Sequence, residues 1–255
     1  GLTAAVARHK GTMDKFREEC GVFGIYGHAE AANLAYLGLY ALQHRGQESA
    51  GIASSDGERL VVHKALGYVA DGFGEPEFAK LAGTSAVGHV RYSTAGESGM
   101  KNAQPILIDC AHGEIAICHN GNLVNAQELR QALVAQGSIF QTTSDTEVLL
   151  HLYARSKAVT PEQALVEAVS QAQGAFSLVL LTKDRLIAVR DPHGFRPLTL
   201  GRLDDGWVVC SETCALDLID AKWIRDIEPG EMFIAGPDGV KSLQPFAPAP
   251  RAHCV

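Results

Sequence analysis

A cysteine at position 20 stands at the junction between a charged leader and an apolar segment. It follows Glu18 and Glu19 and begins the run CGVFGIY, whose β-branched and aromatic residues favour a buried strand. Cleavage before Cys20 would give this residue both a thiol and a free α-amine. Because an α-amine titrates near pH ~7.7–8.0, it can accept the thiol proton without help from a histidine. A buried structural cysteine is the alternative that the position alone leaves open.

Four further residues are of types that could serve a reaction at a thiol nucleophile. Asn120 and Gly121 follow an apolar run, where a side-chain amide and an unobstructed backbone N–H can stabilise an oxyanion. Arg91 and Asp145 together suit a ligand that carries one carboxylate and one ammonium group. Each assignment has a simpler alternative, because Asn-Gly is a common turn and an aspartate in a first helical turn is favoured by the helix dipole.

Six motifs follow one another along the chain in a fixed order. They are LQHRGQESAG at 42–51, GHVRYSTAG at 88–96, HNGNLVN at 119–125, GSIFQTTSDTE at 137–147, DPHGFRPL at 191–198 and SETCA at 211–215. Together with Cys20 they resemble the glutaminase domain of the glutamine phosphoribosylpyrophosphate amidotransferase family, from about residue 18 to the C-terminus. The resemblance implies that glutamine is hydrolysed to glutamate and ammonia through a thioester on Cys20. In that family the ammonia converts phosphoribosyl pyrophosphate to 5-phosphoribosylamine, the first step of de novo purine synthesis.

The resemblance also implies roles for individual residues. It places Arg91 at the carboxylate of glutamine and Asp145 at its amine, with Asn120 and Gly121 at the oxyanion. Two further substrate contacts are implied, Arg45 near the nucleophile and Thr94 as a minor polar contact.

Three histidines flank the same motifs and raise the alternative of a Cys–His mechanism. We expect His44, His89 and His119 to be structural, because an imidazole base would make the position of Cys20 at a cleavage point accidental. A papain-like thiol hydrolase that uses His119 is the alternative, and it would work with the leader attached.

The six cysteines are too sparse for a disulfide framework and are expected to be reduced thiols. We expect Cys210 and Cys214 to be structural, because no second cysteine or histidine pair with metal-ligand spacing accompanies them. Cys254 follows a proline-rich segment at 244–250. Since some family members ligate an iron–sulfur cluster near this point, the resemblance implies Cys254 as a single cluster ligand. No cofactor is expected in this domain; magnesium and, in some members, a 4Fe–4S cluster belong to the full-length enzyme.

Composition and charge exclude several classes of partner. The chain has 255 residues, 46% of them hydrophobic, with a net charge of −7 and no basic block, so nucleic acid is not expected as a partner. No apolar run approaches the roughly 18 residues of a membrane span, and a cytoplasmic protein is expected. No Walker loop and no acidic-pair loop for phosphoribosyl pyrophosphate is present.

The expected organisation has three parts. Residues 1–19 form a propeptide, 20–243 form the glutaminase domain, and 244–255 begin a linker to a phosphoribosyltransferase domain that this chain lacks. Glutamine and that domain are the expected partners, and the full-length enzyme is expected to be a homo-oligomer.

Periodicity predicts an α+β fold. Eight runs favour strands, at 20–26, 59–64, 86–92, 114–119, 176–182, 185–190, 206–210 and 232–235, and four segments favour helices, at 31–42, 125–136, 144–155 and 160–173. Hairpin-like pairs indicate antiparallel sheets. We therefore predict a four-layer αββα sandwich of two antiparallel sheets, which the resemblance to N-terminal nucleophile hydrolases also implies.

Two other functions remain open from the sequence. One is the glutaminase half of another class II amidotransferase such as glucosamine-6-phosphate synthase. The other is a non-catalytic glutamine-binding module, which would keep Arg91 and Asp145 but tolerate a blocked Cys20.

Overall fold

A computed structural model describes residues 20–45, 48–92 and 99–250, and within these ranges it contains thirteen strands and seven α-helices. The strands are β1 (Gly21–Tyr26), β2 (Ser49–Ser55), β3 (Leu60–Leu66), β4 (Ser85–Arg91), β5 (Ile106–Cys110), β6 (Gly113–Leu123), β7 (Gly174–Thr182), β8 (Leu186–Arg190), β9 (Thr199–Leu203), β10 (Gly206–Cys210), β11 (Lys222–Asp226), β12 (Met232–Gly236) and β13 (Gly239–Leu243). The helices are α1 (Ala31–Leu42), α2 (Val69–Gly72), α3 (Glu75–Lys80), α4 (Ala126–Ala135), α5 (Thr146–Arg155), α6 (Pro161–Val169) and α7 (Cys214–Leu218). Two 3₁₀ turns cover Gln43–Arg45 and Met100–Asn102.

The strands form two antiparallel sheets. The seven-stranded sheet has the order β11-β9-β10-β1-β4-β2-β3, and the six-stranded sheet has the order β13-β12-β8-β7-β6-β5. β1 lies in the middle of the first sheet between β10 and β4, and β6 lies in the second between β7 and β5. The strand that follows Cys20 and the strand that contains Asn120 and Gly121 are therefore interior strands of facing sheets.

Three apolar cores separate four layers. α1 and α7 cover the outer face of the seven-stranded sheet through residues such as Phe23 and Leu39. The two sheets face each other through residues such as Val22 and Val179, and α5 and α6 cover the other outer face through Leu149 and its neighbours. This arrangement is the predicted αββα sandwich.

Strand alternation fixes which face each residue occupies. On β1, Val22 belongs to the core between the sheets, whereas Phe23 belongs to the core under α1. On β6, Cys118 belongs to the core between the sheets and Ile117 to the core under α5 and α6. Even-numbered residues of both strands thus face the opposite sheet.

All eight predicted strands and four predicted helices are present, and α1 has the predicted bounds. Two of the predicted helix starts, those of α4 and α5, were wrong in detail. The Asn125 side chain does not cap α4; its Nδ2 donates to Gln171 O and its Oδ1 accepts from Gln173 N. α5 begins at Thr146, later than the predicted start at 144.

The C-terminal part of the described chain packs on the domain. Phe246 is buried in the core beneath α5 and α6, and Ala249 N donates to Pro192 O at 2.9 Å. The predicted linker therefore begins with a segment that contacts the sandwich. None of the described helices is long and apolar enough to span a bilayer.

Candidate active site

Cys20 lies at the entrance to the central strand of the seven-stranded sheet. The register of β1 with β4 places Gly21 opposite Val90 and Val22 opposite His89. Extending this register by one residue brings the half-buried Cys20 level with Arg91. The predicted nucleophile, just before β1, and the predicted carboxylate-binding residue, at the end of β4, therefore lie at the same end of the sheet.

Arg91 is oriented by acceptors on both sides. Its Nη1 donates to Asn102 O at 3.1 Å, and its Nε lies 3.9 Å from Glu48 Oε2, which is buried and has no hydrogen-bond partner among the described residues. A guanidinium has five N–H donors, so these contacts fix the group and leave donors for a carboxylate. Its side chain is 25% exposed, so a ligand can reach it.

Asn120 and Gly121 lie inside β6, which continues past the predicted end at 119 to Leu123. The alternative reading of Asn-Gly as a turn is therefore wrong. Asn120 is buried, and alternation along β6 directs its side chain to the face that meets the β1 sheet.

The N–H of Gly121 points to the edge of β6 that faces away from β7. On this edge the N–H groups of His119 and Leu123 donate to side chains. His119 N donates to Gln104 Oε1 at 2.6 Å, and Leu123 N donates to Asp145 Oδ2 at 3.0 Å. Because N–H direction alternates along a strand, Gly121 N points the same way, beyond the last β5 pairing at Ile117. Gly121 has a φ of +144°, and a Cβ here would lie 2.0 Å from Ala175 O, so only glycine fits.

Asp145 is bound to β6 and does not cap α5, although it is the residue at the N-cap position. Its Oδ1 lies 3.5 Å from His119 Nδ1, and its Oδ2 accepts from Leu123 N. Burial alone would raise the pKa of Asp145, but the neighbouring His119 and the backbone N–H groups of Leu123 and Thr146 lower this pKa to about 2. The carboxylate is ionised at neutral pH, and its side chain is 24% exposed, so it can receive an ammonium.

Asn102 connects the predicted carboxylate site to the predicted amine site through hydrogen bonds. Asn102, whose carbonyl accepts from Arg91, also donates through Nδ2 to Thr143 Oγ1 at 2.8 Å and accepts from Thr143 N at 3.1 Å. Thr143 lies two residues before Asp145. The opposite charges of Arg91 and Asp145 are therefore held in one hydrogen-bonded unit.

His119 and His89 occupy structural positions, as predicted from their contexts. The side chain of His119 is 1% exposed and lies on the α5 side of β6, with Nδ1 3.1 Å from Thr146 Oγ1. Asn120 occupies the opposite face, so the geometry disfavours His119 as the base for Cys20. Burial lowers the pKa of His89 to about 3, and this neutral imidazole donates from Nε2 to His119 O, which joins β4 to β6.

Gln104 is a site-supporting residue that the sequence did not reveal. It is buried; its Oε1 holds the His119 N–H, and its Nε2 donates to Thr146 Oγ1 at 3.3 Å. Its carbonyl oxygen lies 2.2 Å from where a Cβ of residue 51 would be, so Gly51 is required there. Glu48 and Asn102 were also missed. No sequence signal marks these contacts, because each partner lies many residues away.

The structure describes the remaining predicted site residues only in part or not at all. The backbone of Arg45 belongs to the 3₁₀ turn Gln43–Arg45, but its side chain is not described. Thr94, Cys254 and the predicted propeptide 1–19 lie outside the described residues. Their roles stay predictions.

Comparisons with known proteins agree with one another. The family model described as "Glutamine amidotransferase domain" matches residues 89–218, half of the chain. The chain is 50% identical over 226 residues to amidophosphoribosyltransferase of Bacillus subtilis (strain 168), which covers 88% of this chain and 48% of that protein. It is 53% identical over 231 residues to the chloroplastic amidophosphoribosyltransferase 1 of Arabidopsis thaliana, over 90% of this chain and 41% of that protein.

A solved structure of glutamine phosphoribosylpyrophosphate amidotransferase from B. subtilis, complexed with ADP and GMP, matches with a TM-score of 0.85 and 48% identity. The match covers 89% of this chain and 49% of that chain. The chain thus spans about half the length of the curated relatives it matches. The fold is that of class II glutamine amidotransferases, of the N-terminal nucleophile hydrolase type, which confirms the predicted fold class. The chain belongs to the glutamine amidotransferase domain family.

Proposed function

We propose that this chain is the glutaminase half of an amidophosphoribosyltransferase and hydrolyses glutamine to glutamate and ammonia. The observation that carries the proposal is the common location of Cys20, Arg91 and Asp145: Arg91 is level with Cys20 and is joined to the Asp145 segment through Asn102 and Thr143. The sequence identity of 50% and 53% to proteins named amidophosphoribosyltransferase supports this assignment over the glutaminase half of glucosamine-6-phosphate synthase.

The chemistry begins once Cys20 is the first residue. Its α-amine takes the thiol proton, and the thiolate attacks the amide carbon of glutamine. The N–H of Gly121 and the side-chain amide of Asn120 stabilise the resulting oxyanion. The amine returns the proton to the departing ammonia, and a thioester forms. Water then cleaves the thioester, releases glutamate and restores the thiol.

Substrate selection rests on charge complementarity. Arg91 binds the α-carboxylate and Asp145 binds the α-ammonium, while Arg45 and Thr94 add contacts near the nucleophile. An amide that lacks either charged group leaves a partly buried charge unpaired, and such ligands bind weakly.

The rest of the reaction belongs to a second domain. We propose that the ammonia is used there to convert phosphoribosyl pyrophosphate to 5-phosphoribosylamine. Magnesium would be bound in that second domain. If the full-length enzyme holds an iron–sulfur cluster, Cys254 would supply one of its ligands. Homo-oligomeric assembly and a cytoplasmic location are part of the same proposal.

A covalent label tests the function and separates it from a binding module. A diazoketone analogue of glutamine should add one equivalent to the peptide that begins at Cys20, and ammonia should form from glutamine in unlabelled protein. Binding of glutamine without labelling or ammonia release, in protein whose N-terminus is Cys20, would show a non-catalytic module instead.

A further inference from the structure

Three side chains that are far apart in sequence meet at the C-terminal end of α1. His44 belongs to the 3₁₀ turn after α1, Glu212 follows β10, and Cys214 begins α7. Their ligand atoms, an imidazole nitrogen, a carboxylate oxygen and a thiol sulfur, all lie within 4.8 Å of one another. We call these three residues the His44 cluster. None of them has a part in the proposed hydrolysis.

The distances in the His44 cluster suit a small tetrahedral cation. His44 Nε2 lies 3.6 Å from Glu212 Oε2, and Cys214 Sγ lies 3.8 Å from the same oxygen. A tetrahedral Zn²⁺ with bonds of about 2.0–2.3 Å separates its ligand atoms by roughly 3.3–3.8 Å. These two distances match the ligand spacing around one ion, and the His44 nitrogen and Cys214 Sγ lie within 4.8 Å of each other.

The imidazole of His44 is oriented as a metal ligand. Its Nδ1 lies 2.8 Å from Ala41 O, and because a carbonyl oxygen only accepts, Nδ1 carries the proton. In the neutral ring the lone pair then lies on Nε2, the atom that is 3.6 Å from Glu212 Oε2. A backbone carbonyl that fixes the tautomer of a ligating histidine is the usual outer support of such sites.

Access and donor type favour one class of cation. The His44 side chain is 51% exposed and that of Glu212 is 23% exposed, so an ion can enter from solvent. A sulfur, a nitrogen and a single carboxylate suit Zn²⁺ or Co²⁺, whereas Mg²⁺ prefers oxygen ligands.

We propose that His44 Nε2, Glu212 Oε2 and Cys214 Sγ bind one Zn²⁺ ion, with water in the fourth position. Binding displaces the thiol proton of Cys214 to solvent, so the thiolate and the carboxylate balance the charge of the ion. The ion joins the end of α1 to the start of α7, whose Ala215 and Leu216 share a core with Leu39. Cys214 then has a role beyond the structural one that its sequence spacing indicated.

The test uses the full chain after treatment with a chelator. One arm measures Zn²⁺ affinity by competition with a chromophoric chelator, and the other records the absorption of bound Co²⁺. Both arms are repeated in a Cys20→Ala, Cys254→Ser background, so that the thiols of the nucleophile and the C-terminus contribute nothing. We expect one Zn²⁺ per chain, unaffected by excess Mg²⁺, and a thiolate-to-cobalt charge-transfer band.

Two variants and one matched control decide the outcome. Cys214→Ser should remove the charge-transfer band and weaken Zn²⁺ binding by at least ~100-fold. Mutations of residues that only support a metal ligand already weaken metal binding by up to about 100-fold, and loss of a ligand should cost at least as much. His44→Gln, at a half-exposed position that leaves the core intact, should weaken Zn²⁺ binding by a similar factor. Cys110→Ser, which removes a half-buried thiol on β5, should change neither readout. A band that persists in Cys214→Ser, or Zn²⁺ affinity unchanged in His44→Gln, would overturn the proposal.

Discussion

Asp145 and His119 form a contact that joins the first residue before α5 to the strand that carries the predicted oxyanion site. Asp145 Oδ1 lies 3.5 Å from His119 Nδ1, while Asp145 Oδ2 accepts from Leu123 N two residues beyond Gly121. The carboxylate that is proposed to bind the amine of glutamine thereby also fixes β6 on either side of Gly121. Substrate recognition and oxyanion geometry depend on the same side chain.

Replacement of Asp145 by Asn should raise the KM for glutamine. The variant loses a charge-assisted contact worth about 1.5–3 kcal/mol, which corresponds to a roughly 10- to 150-fold increase in KM. Steady-state kinetics of ammonia release measure this effect, and Asp205→Asn, at a fully exposed aspartate, is the matched control. A KM for Asp145→Asn equal to that of Asp205→Asn would remove Asp145 from the substrate site.

The folding stability that Asp145 contributes should depend on pH with a defined sign. Its pKa in the folded protein is about 2, below the ordinary value of 3.8, so the contribution is present above about pH 4 and is lost as the pH falls toward 2. Urea unfolding of wild type and Asp145→Asn should therefore differ most above pH 4. A stability difference that grows as the pH falls from 4 to 2 would contradict this sign.

Replacement of Asn120 by Ala should lower kcat with little change in KM. Removal of one oxyanion donor typically costs about 10²–10³-fold in kcat, because the interaction strengthens only as the tetrahedral intermediate forms. Asn122→Ala, at an exposed position two residues along the same strand, is the matched control. Equal kcat values for Asn120→Ala and wild type would place the oxyanion elsewhere.

Replacement of Gln104 by Met should destabilise the protein and raise the KM for glutamine. Met has a similar volume but leaves the buried N–H of His119 without an acceptor, at a cost of about 1–3 kcal/mol. The contact with Thr146, next to Asp145, is lost as well. Urea unfolding and kinetics measure both effects. Gln173→Met, at an exposed glutamine just before β7, is the control. A loss of stability in Gln173→Met equal to that in Gln104→Met would show that the buried contacts of Gln104 carry no special weight.

The sequence predicted the layers of this fold better than the contacts of its site. α1 has a regular apolar pattern, so periodicity alone located both of its ends. β2 was missed because its residues, SAGIASS, have small side chains and low strand propensity, although every one of them is buried. β6 was predicted to end too early, because Asn-Gly is typical of turns and nothing local shows that β7 pairs with it through Leu123.

The predicted catalytic and charged residues were found from their chemical types, but their supports were not. The supporting residues Gln104, Asn102 and Glu48 act through partners that lie 11 to 43 residues away along the chain. Such pairings exist only in the folded chain. The meeting of His44 with Glu212 depends in the same way on the packing of α1 against α7.

Phosphoribosyl pyrophosphate with magnesium should not stimulate this chain. The sequence contains no acidic-pair loop for that substrate, and the chain spans about half the length of its curated relatives. We expect ammonia release from glutamine at a slow rate that phosphoribosyl pyrophosphate does not change, and no 5-phosphoribosylamine. A raised glutaminase rate would show that this chain itself binds the phosphorylated substrate.

The most direct test of the account is the glutaminase rate of Cys20-initiated protein compared with protein that retains residues 1–19. Both forms are checked for folding by circular dichroism and for their N-termini by intact mass. The α-amine mechanism predicts that ammonia release requires the free amine of Cys20, that Cys20→Ala abolishes it, and that Cys20→Ser retains at most a trace, because a hydroxyl is far harder to deprotonate than a thiol. Equal rates with and without residues 1–19 would contradict the central claim that the amine of Cys20 is the catalytic base.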